Sequence, residues 1–281
     1  MYDVASIKLL RRTLNANDLA DVKIVAADLQ PGQGDIWQLA GKLQDDADLA
    51  AAVDVLGGHY PKSESTDAAK AGGKPLWSSE DGAWRGDWEG SKQIAAQLNR
   101  NYVQGKMTKT ITWSLVTSYY DSLRLPDSGM MRAKEPWSGH YEVEPALWVI
   151  AHHNQFAKPG WRYLDQACQL LPGGGSVVAM ASPDGADASV IIETMGATQP
   201  QTLVIVPDAS LANRSWHLWR TNKTESFVKQ DAPVPTDGKL PLQIDPDSIY
   251  SLTTTAGQTK GTTKSPPSKA FPIPYNDDFE A

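Results

Sequence analysis

Apolar positions recur at helical spacing in residues 6–14 (SIKLLRRTL), where Ile7, Leu9, Leu10 and Leu14 fall on successive turns and Ser6 reads as the N-cap. A short apolar run at 22–28 (VKIVAAD) has the length of a strand and ends in Asp28. Residues 36–53 return to the helical period through Ile36, Leu39, Ala40 and Leu43, and then through the run 49–53. The next strand is 54–60 (DVLGGHY), with His59 and Tyr60 at its carboxyl end. After an irregular, breaker-rich link comes 74–81 (KPLWSSED), where Leu76 and Trp77 precede the acid pair Glu80-Asp81. A helix over 91–102 follows. The strand 108–116 (TKTITWSLV) then alternates Thr110 and Thr112 with Ile111 and Trp113, and 145–156 (PALWVIAHHNQF) reads as the next helix.

Residues 1–158 therefore spell helix, then four strands interleaved with helices. This is the grammar of strands five to eight of a (β/α)8 TIM barrel, in which acids at the carboxyl ends of strands face the active site. Half a barrel leaves two open sheet edges. Met1-Tyr2-Asp3-Val4 also runs straight into a helix where an α/β domain opens on a strand, so a missing amino-terminal part is expected. At Pro159-Gly160 the pattern changes. Short apolar runs at 176–181, 188–193, 202–206, 217–220, 225–229 and 248–255, separated by Gly and Pro turns, predict an all-β sandwich over 159–256. Residues 257–281 are rich in Gln, Thr, Lys, Ser and Pro and read as a linker towards a further domain. The fold class is thus α/β plus all-β.

Composition narrows the chemistry. A net charge of −7 over 281 residues argues against nucleic acid and anionic membranes as partners. No run of 18 apolar residues predicts a membrane span. The single cysteine, Cys168, excludes an internal disulfide and a cysteine metal cluster, which fits the cytosol or bacterial export equally. Ten Trp against four Phe is unusual; indole faces suit sugar rings as well as they fill cores. Taken alone, Glu80 is either a barrel carboxylate or the end of an edge strand, and Asp28 is more simply a solvated strand end. His59 stands evenly between a site residue and a loop histidine. His152 and His153 lack partners at metal-ligand spacing and read as surface or packing groups. The glycine-rich 171–175 lacks the Gly-Lys-Ser/Thr ending of a phosphate loop and reads as a turn. Neither a cofactor nor a metal is predicted, and oligomeric state is not indicated.

Several longer blocks carry a resemblance. Residues 53–81 (VDVLGGHYP…GGKPLWSSED), 99–120 (NRNYVQGKMTKTITWSLVTSYY), 135–141 (EPWSGHY), 156–164 (FAKPGWRYL) and 191–195 (IIETM) resemble the galactocerebrosidase family, glycoside hydrolase family 59. The tail AFPIPYNDDF is similar to that family's passage from its sandwich into a lectin-like domain. The resemblance implies a retaining β-galactosidase acting on galactosyl lipids or related β-galactosides. It makes Glu80, in Ser79-Glu80-Asp81, the nucleophile. It implies Trp113 as the floor of the sugar site, His59 and Tyr60 as pocket lining, and Ser79 and Asp81, beside the nucleophile, as substrate-binding residues. Trp137 then shapes the rim or packs sandwich against barrel. The family's second glutamate, the acid/base, would precede Met1, so the fragment alone is expected to be inactive. Two positions depart from the animal members: Leu125 stands where they carry a tyrosine, and the segment after Glu193-Thr194-Met195 lacks their sugar-binding arginine. The alternatives are a glucosylceramidase-like barrel-plus-sandwich enzyme and a non-catalytic carbohydrate-binding remnant. The animal members are lysosomal; a microbial relative would be exported, by a signal peptide this chain does not show.

Overall fold

The computed structural model of the chain describes residues 3–117, 122 and 127–279. Helix α1 (Val4–Ala16) starts earlier than its apolar pattern suggests. Asp3, not Ser6, caps it: the carboxylate accepts from the Ala5 N–H at 2.9 Å and from the Ser6 hydroxyl at 2.7 Å. Strand β1 (Val25–Leu29) follows. The single helix expected over 36–53 is two, α2 (Gln38–Asp45) and α3 (Ala47–Ala52). Asp46 divides them because its extended backbone lets its carboxylate cap Leu49 N–H at 3.0 Å, a local bond that competes with the helix. After β2 (Val55–His59), the link read as irregular holds a short helix, α4 (Asp67–Ala71), capped by Thr66. Strand β3 (Leu76–Gly82) runs through the acid pair, as expected, and one residue beyond it. Helix α5 (Trp88–Val103) begins three residues before the expected 91, on an Asp87 cap, and β4 (Met107–Trp113) ends at its tryptophan.

These four strands form one parallel sheet in the order β1-β2-β3-β4, each beside its predecessor. One face is dry: Ala26, Leu56, Leu76 and Met107 pack under Trp37, Leu39, Leu43 and Leu49 of the helical layer. The other face is open, with Val25, Ile111 and Trp113 each more than a third exposed. Helices on one face and an open opposite face make this an α/β, barrel-like layer.

Between the two halves lie the two-residue strands β5 (Val116–Thr117), β6 (Met131–Arg132) and β7 (Glu142–Val143), then α6 (Pro145–Asn154). The second half comprises β8 (Arg162–Tyr163), β9 (Gln169–Leu170), β10 (Ser176–Ala181), β11 (Ala188–Glu193), β12 (Gln201–Ile205), β13 (His217–Thr221), β14 (Val228–Gln230), β15 (Leu240–Ile244) and β16 (Ile249–Thr253). The order β14-β13-β16-β11-β10-β8 is antiparallel throughout, with β9 also on β10. Strands β8, β9 and β15 were not foreseen from the sequence. A separate β12-β15 pair lays Leu203, Ile205, Leu240, Leu242 and Ile244 against Val177, Val190, Ile192 and Leu252. The opposite face of the large sheet, with Val178, Met180 and Ile191, packs on Ile94 and Leu98 of α5 and Val149 and Ile150 of α6. Burial on both faces explains why SVVAMA and ASVIIE are continuous apolar runs. The glycine-rich 171–175 is a turn closed by Leu171 N–H on Gly175 O at 2.9 Å. A Cβ on Gly175 would lie 2.1 Å from Glu193 O, and its φ is +101°.

Polar groups fasten the two halves. Asn99 of α5 donates to Ser176 O and Ile191 O, both at 3.1 Å. Arg100 lies 3.3 Å from the fully buried Glu193 carboxylate. That carboxylate also accepts from the Ser176 hydroxyl at 2.5 Å and from Met195 N–H at 2.8 Å, while burial pushes its pKa up. Residues 257–279 contain no helix or strand but are pinned back: Tyr141 N–H donates to Ser265 Oγ at 2.8 Å, and Ser268 Oγ to Glu135 at 2.7 Å.

His152 is buried between α6 and the large sheet, a packing group and not a surface one. The Ser251 hydroxyl donates to His152 O at 3.0 Å, so its lone pair receives Nδ1–H at 2.9 Å. Thr221 Oγ1 accepts from Phe227 N–H at 2.8 Å and donates to Nε2 at 2.8 Å. Both partners suit a neutral ring, and burial, followed by the charge of His153, lowers its pKa to about 3. A base depressed on folding stabilises fully above its unfolded value, 6.5, and that stability is lost as pH falls towards the folded value. The melting temperature should therefore drop between about pH 7 and pH 4, and drop less in His152→Gln, the difference being on the order of a few kcal/mol. Parallel declines in thermal melts of the two proteins would place the acid sensitivity elsewhere.

Candidate active site

The carboxyl ends of the first three parallel strands are irregular, and the irregularity builds the site. In β1 the pairing slips between Ala27 and Leu29, and both Ala27 (φ +85°) and Asp28 (φ +50°) adopt left-handed backbone. Tyr60, just past β2, does the same at φ +50°. Between β2 and β3 the register passes from Gly58↔Ser78 to His59↔Glu80, which leaves Ser79 as an extra residue. Strict alternation would put Ser79 and Glu80 on opposite faces. The bulge instead brings both to the open face and leaves Asp81 on the helical side. Gly57 and Gly58 make room for this: a Cβ on Gly57 would meet Val25 and Ser79 at 3.0 and 3.2 Å, and one on Gly58 would meet the Trp37 ring at 3.0 Å.

Glu80 receives the Tyr60 hydroxyl on Oε1, and His59 Nε2 lies 3.0 Å from Oε2. The other ring nitrogen, Nδ1, is 3.0 Å from Asp28 Oδ1, which also accepts from the Ser79 hydroxyl at 2.5 Å. Tyr60 N–H donates to Glu80 O at 2.9 Å, locking the two strand ends together. Beside the carboxylate runs an aromatic file: Tyr60 meets Trp84 edge-on at 5.0 Å between centroids, and Trp84 lies 6.4 Å from Trp113, which is 38% exposed. The arrangement presents an anion held by two donors, each carboxylate oxygen retaining a lone pair, next to apolar ring faces.

Asp81 stands apart. It is fully buried and accepts from Ser78 Oγ, Asn101 Nδ2 at 3.0 Å and Gln97 Nε2 at 3.0 Å, so it ties β3 to α5. Burial raises its pKa against the opposing effect of the Ser78 and Asn101 donors. This corrects its expected place beside a substrate, because nothing bound on the open face can touch it. Trp137, in the 3₁₀ turn Pro136–Ser138, is not brought to the cluster either. Its indole donates to Lys269 O at 2.8 Å and packs edge-on against Phe271, so its packing partner is the tail and not the sandwich. The departure at Leu125 lies outside the described residues. Among the described residues no three or more His, Cys, Asp or Glu side chains are grouped to hold a metal.

Sequence reasoning missed two contributors. Trp84 falls between the strand 74–81 and the helix 91–102, to which the pattern assigns no element, although an indole three residues after an acid pair was its signal. Asp28 was read as a solvated strand end; that other strand ends also carry polar groups was the available hint.

A parallel barrel-like layer joined to an antiparallel sheet also occurs among solved glycoside hydrolases. The chain matches a GH30 endoxylanase from Clostridium papyrosolvens C71 with a TM-score of 0.68 at 16% identity, covering 91% of this chain and 61% of that one. The GH30 subfamily 8 xylanase Xyn30A from Clostridium acetobutylicum gives 0.67 at 15%, over 90% and 61%. At such identities the likeness is one of fold. Sequence is more specific: the model of glycosyl hydrolase family 59 matches residues 1–155, and the chain belongs to that family. It is 39% identical to the galactocerebrosidase of Salmo salar over 303 residues, covering 99% of this chain and 44% of the relative. For the galactocerebrosidase of Homo sapiens the values are 37% over 306 residues, 99% and 43%. The chain thus spans a little under half the length of the curated relatives it matches. No helix among the described residues is long and apolar enough to cross a membrane.

The opposite orientations of neighbouring acids give a direct test. Asp81→Asn turns one acceptor into a donor facing Gln97 or the Ser78–Asn101 pair, so it should cost about 2 kcal/mol in denaturant unfolding. Glu80→Gln, on the open face, should cost far less. Equal costs would contradict the two-sided arrangement.

Proposed function

We propose that this chain is part of a retaining glycoside hydrolase that cleaves β-galactosidic bonds, with galactosyl lipids or related β-galactosides as substrates. The observation that carries the reading is the Glu80 carboxylate, gripped by Tyr60 and His59 on the open face of a barrel-like sheet beside exposed indole. In a double displacement, one Glu80 oxygen attacks the anomeric carbon from the α-face while the bond to the leaving oxygen breaks. A second carboxylic acid, about 5–5.5 Å away, protonates that oxygen and then activates the water that opens the glycosyl-enzyme. We assign that second group to the part of the relatives' length which this chain does not match, and expect the isolated fragment to be inactive. Trp113 offers a floor on which a sugar face stacks, and Tyr60 and His59 contribute lining through Glu80.

The antiparallel half fits a β-sandwich over 159–256, in which the β12-β15 pair is part of the second layer and the large sheet braces α5 and α6 from behind. The residues from 257 onward fit a linker.

Activity tests call for the longest polypeptide that the reading frame encodes. Incubation with a 2-deoxy-2-fluoro-β-galactosyl fluoride, digestion and peptide mapping should place the sugar on Glu80. A label on Asp28, Asp81 or any other residue overturns the assignment. Trp113→Ala should lower kcat/KM about fivefold or more, in line with on the order of 1 kcal/mol of ring stacking, while leaving the melting temperature nearly unchanged. A loss of melting temperature with intact kinetics would make Trp113 a packing residue.

A further inference from the structure

One carboxylate on the open face has no part in the double displacement. Asp28 is 3.0 Å from His59 Nδ1, and its contact oxygen is fixed from the other side by the Ser79 hydroxyl. We propose that Asp28 is a positioning residue for Glu80, acting through His59 as an Asp28–His59–Glu80 relay. The inference rests on the reading of Glu80 as nucleophile.

The ring's hydrogen bonding is the first argument. Each nitrogen of His59 faces a carboxylate oxygen at 3.0 Å. A neutral imidazole carries a single N–H, so one of those contacts would set a nitrogen lone pair against an anion. Both are hydrogen bonds only when both nitrogens donate. Asp28 supplies the charge that favours this state, and its bond fixes the ring plane so that Nε2–H points at Glu80 Oε2. The groups facing His59 are Asp28 from β1, Glu80 from β3 and Tyr60 just past β2; the buried Asp81 lies behind, on the helical side of β3, within range of the ring's charge.

The backbone is the second argument. Ala27 and Asp28 both adopt left-handed backbone at the end of β1, a conformation that alanine disfavours, and the ladder slips at the same point. Regular pairing would set Asp28 opposite Gly58 and turn its side chain to the helical face; the slip from Ala27↔Gly57 to Leu29↔Gly58 leaves it free to reach His59.

The third is charge balance along the reaction. When Glu80 becomes a glycosyl ester its negative charge is lost. Without Asp28 the imidazolium would then stand uncompensated beside the ester; with it, the Asp28–His59 pair remains neutral as a unit. Asp28 therefore favours formation of the intermediate without touching the sugar.

The test combines a ring-proton readout with a rate. In the 15N-histidine spectrum of the longest encoded polypeptide, with His59 assigned through the resonances lost in His59→Gln, both ring nitrogens should carry a proton at the pH of fastest labelling. Asp28→Asn should lose that pattern, and Asp28→Glu should restore part of it. The rate of fluorosugar labelling should fall at least tenfold in Asp28→Asn, its alkaline limb should move to lower pH, and KM for a β-galactoside should change little. A singly protonated His59 in the unaltered protein overturns the proposal, as does an unchanged labelling rate and pH profile in Asp28→Asn. Should Asp28→Asn fail to fold, Ser79→Ala carries the test: a smaller slowing with the same shift supports the relay, and no change overturns it. Absence of label on Glu80 in the unaltered protein, with both His59 nitrogens protonated, overturns the nucleophile reading while leaving the Asp28–His59 geometry standing.

Discussion

The extra residue in β3 governs much of what surrounds it. Because Ser79 is inserted into the ladder with β2, three consecutive polar side chains reach three different sets of partners: Ser79 reaches Asp28, Glu80 reaches His59 and Tyr60, and Asp81 turns back to Gln97 and Asn101. An unbroken strand would place Ser79 with Asp81 on one face and Glu80 on the other. In one register Glu80 would be buried under α5 and Asp81 would lose its donors; in the other Ser79 would turn to the helical side and leave Asp28. A bulge beside an active site serves to re-aim side chains, and here it aims two at once.

Helix α5 passes this local arrangement to the rest of the chain. Its Gln97 and Asn101 hold Asp81, while Asn99 and Arg100, on the turn between, hold β10 and β11 and the buried Glu193. Apolar side chains of the same helix fill the interface with the large sheet. Two buried carboxylates, one from each half, are thus satisfied by one helix. Leaving either unpaired in a dry interface would be costly, so the relative placement of the halves is constrained by polar groups as well as by packing.

The proposed sugar face is made differently. Its aromatic groups come from three connections, Tyr60 after β2, Trp84 after β3 and Trp113 at the end of β4, and they meet because parallel strands present their carboxyl ends side by side. Flexible loops alone would not hold three rings in a file. The sheet supplies the spacing and the loops supply the rings.

Periodicity was enough to determine that this chain alternates strands and helices and then changes to short strands near residue 159, because burial on one face or two leaves a fixed repeat in the sequence. It also marked Glu80, His59, Tyr60 and Trp113 as strand-end residues, and the order of elements made them neighbours. Capping was half legible: Asp3 and Asp46 carry the right chemistry, yet nothing in the pattern said that Asp46 would divide one helix into two. What only the tertiary structure decided was orientation. Ser79 faces the site because of a register slip that depends on β2, and Asp28 joins it because of a backbone kink at the end of β1. Trp137 turned to the tail, and His152 turned inward to Thr221 and Ser251, because their partners lie far away in sequence. Period and propensity are local properties of a chain. The direction of a polar side chain is set by whichever donor or acceptor the fold brings within about 3 Å, and that is known only once the strands are paired.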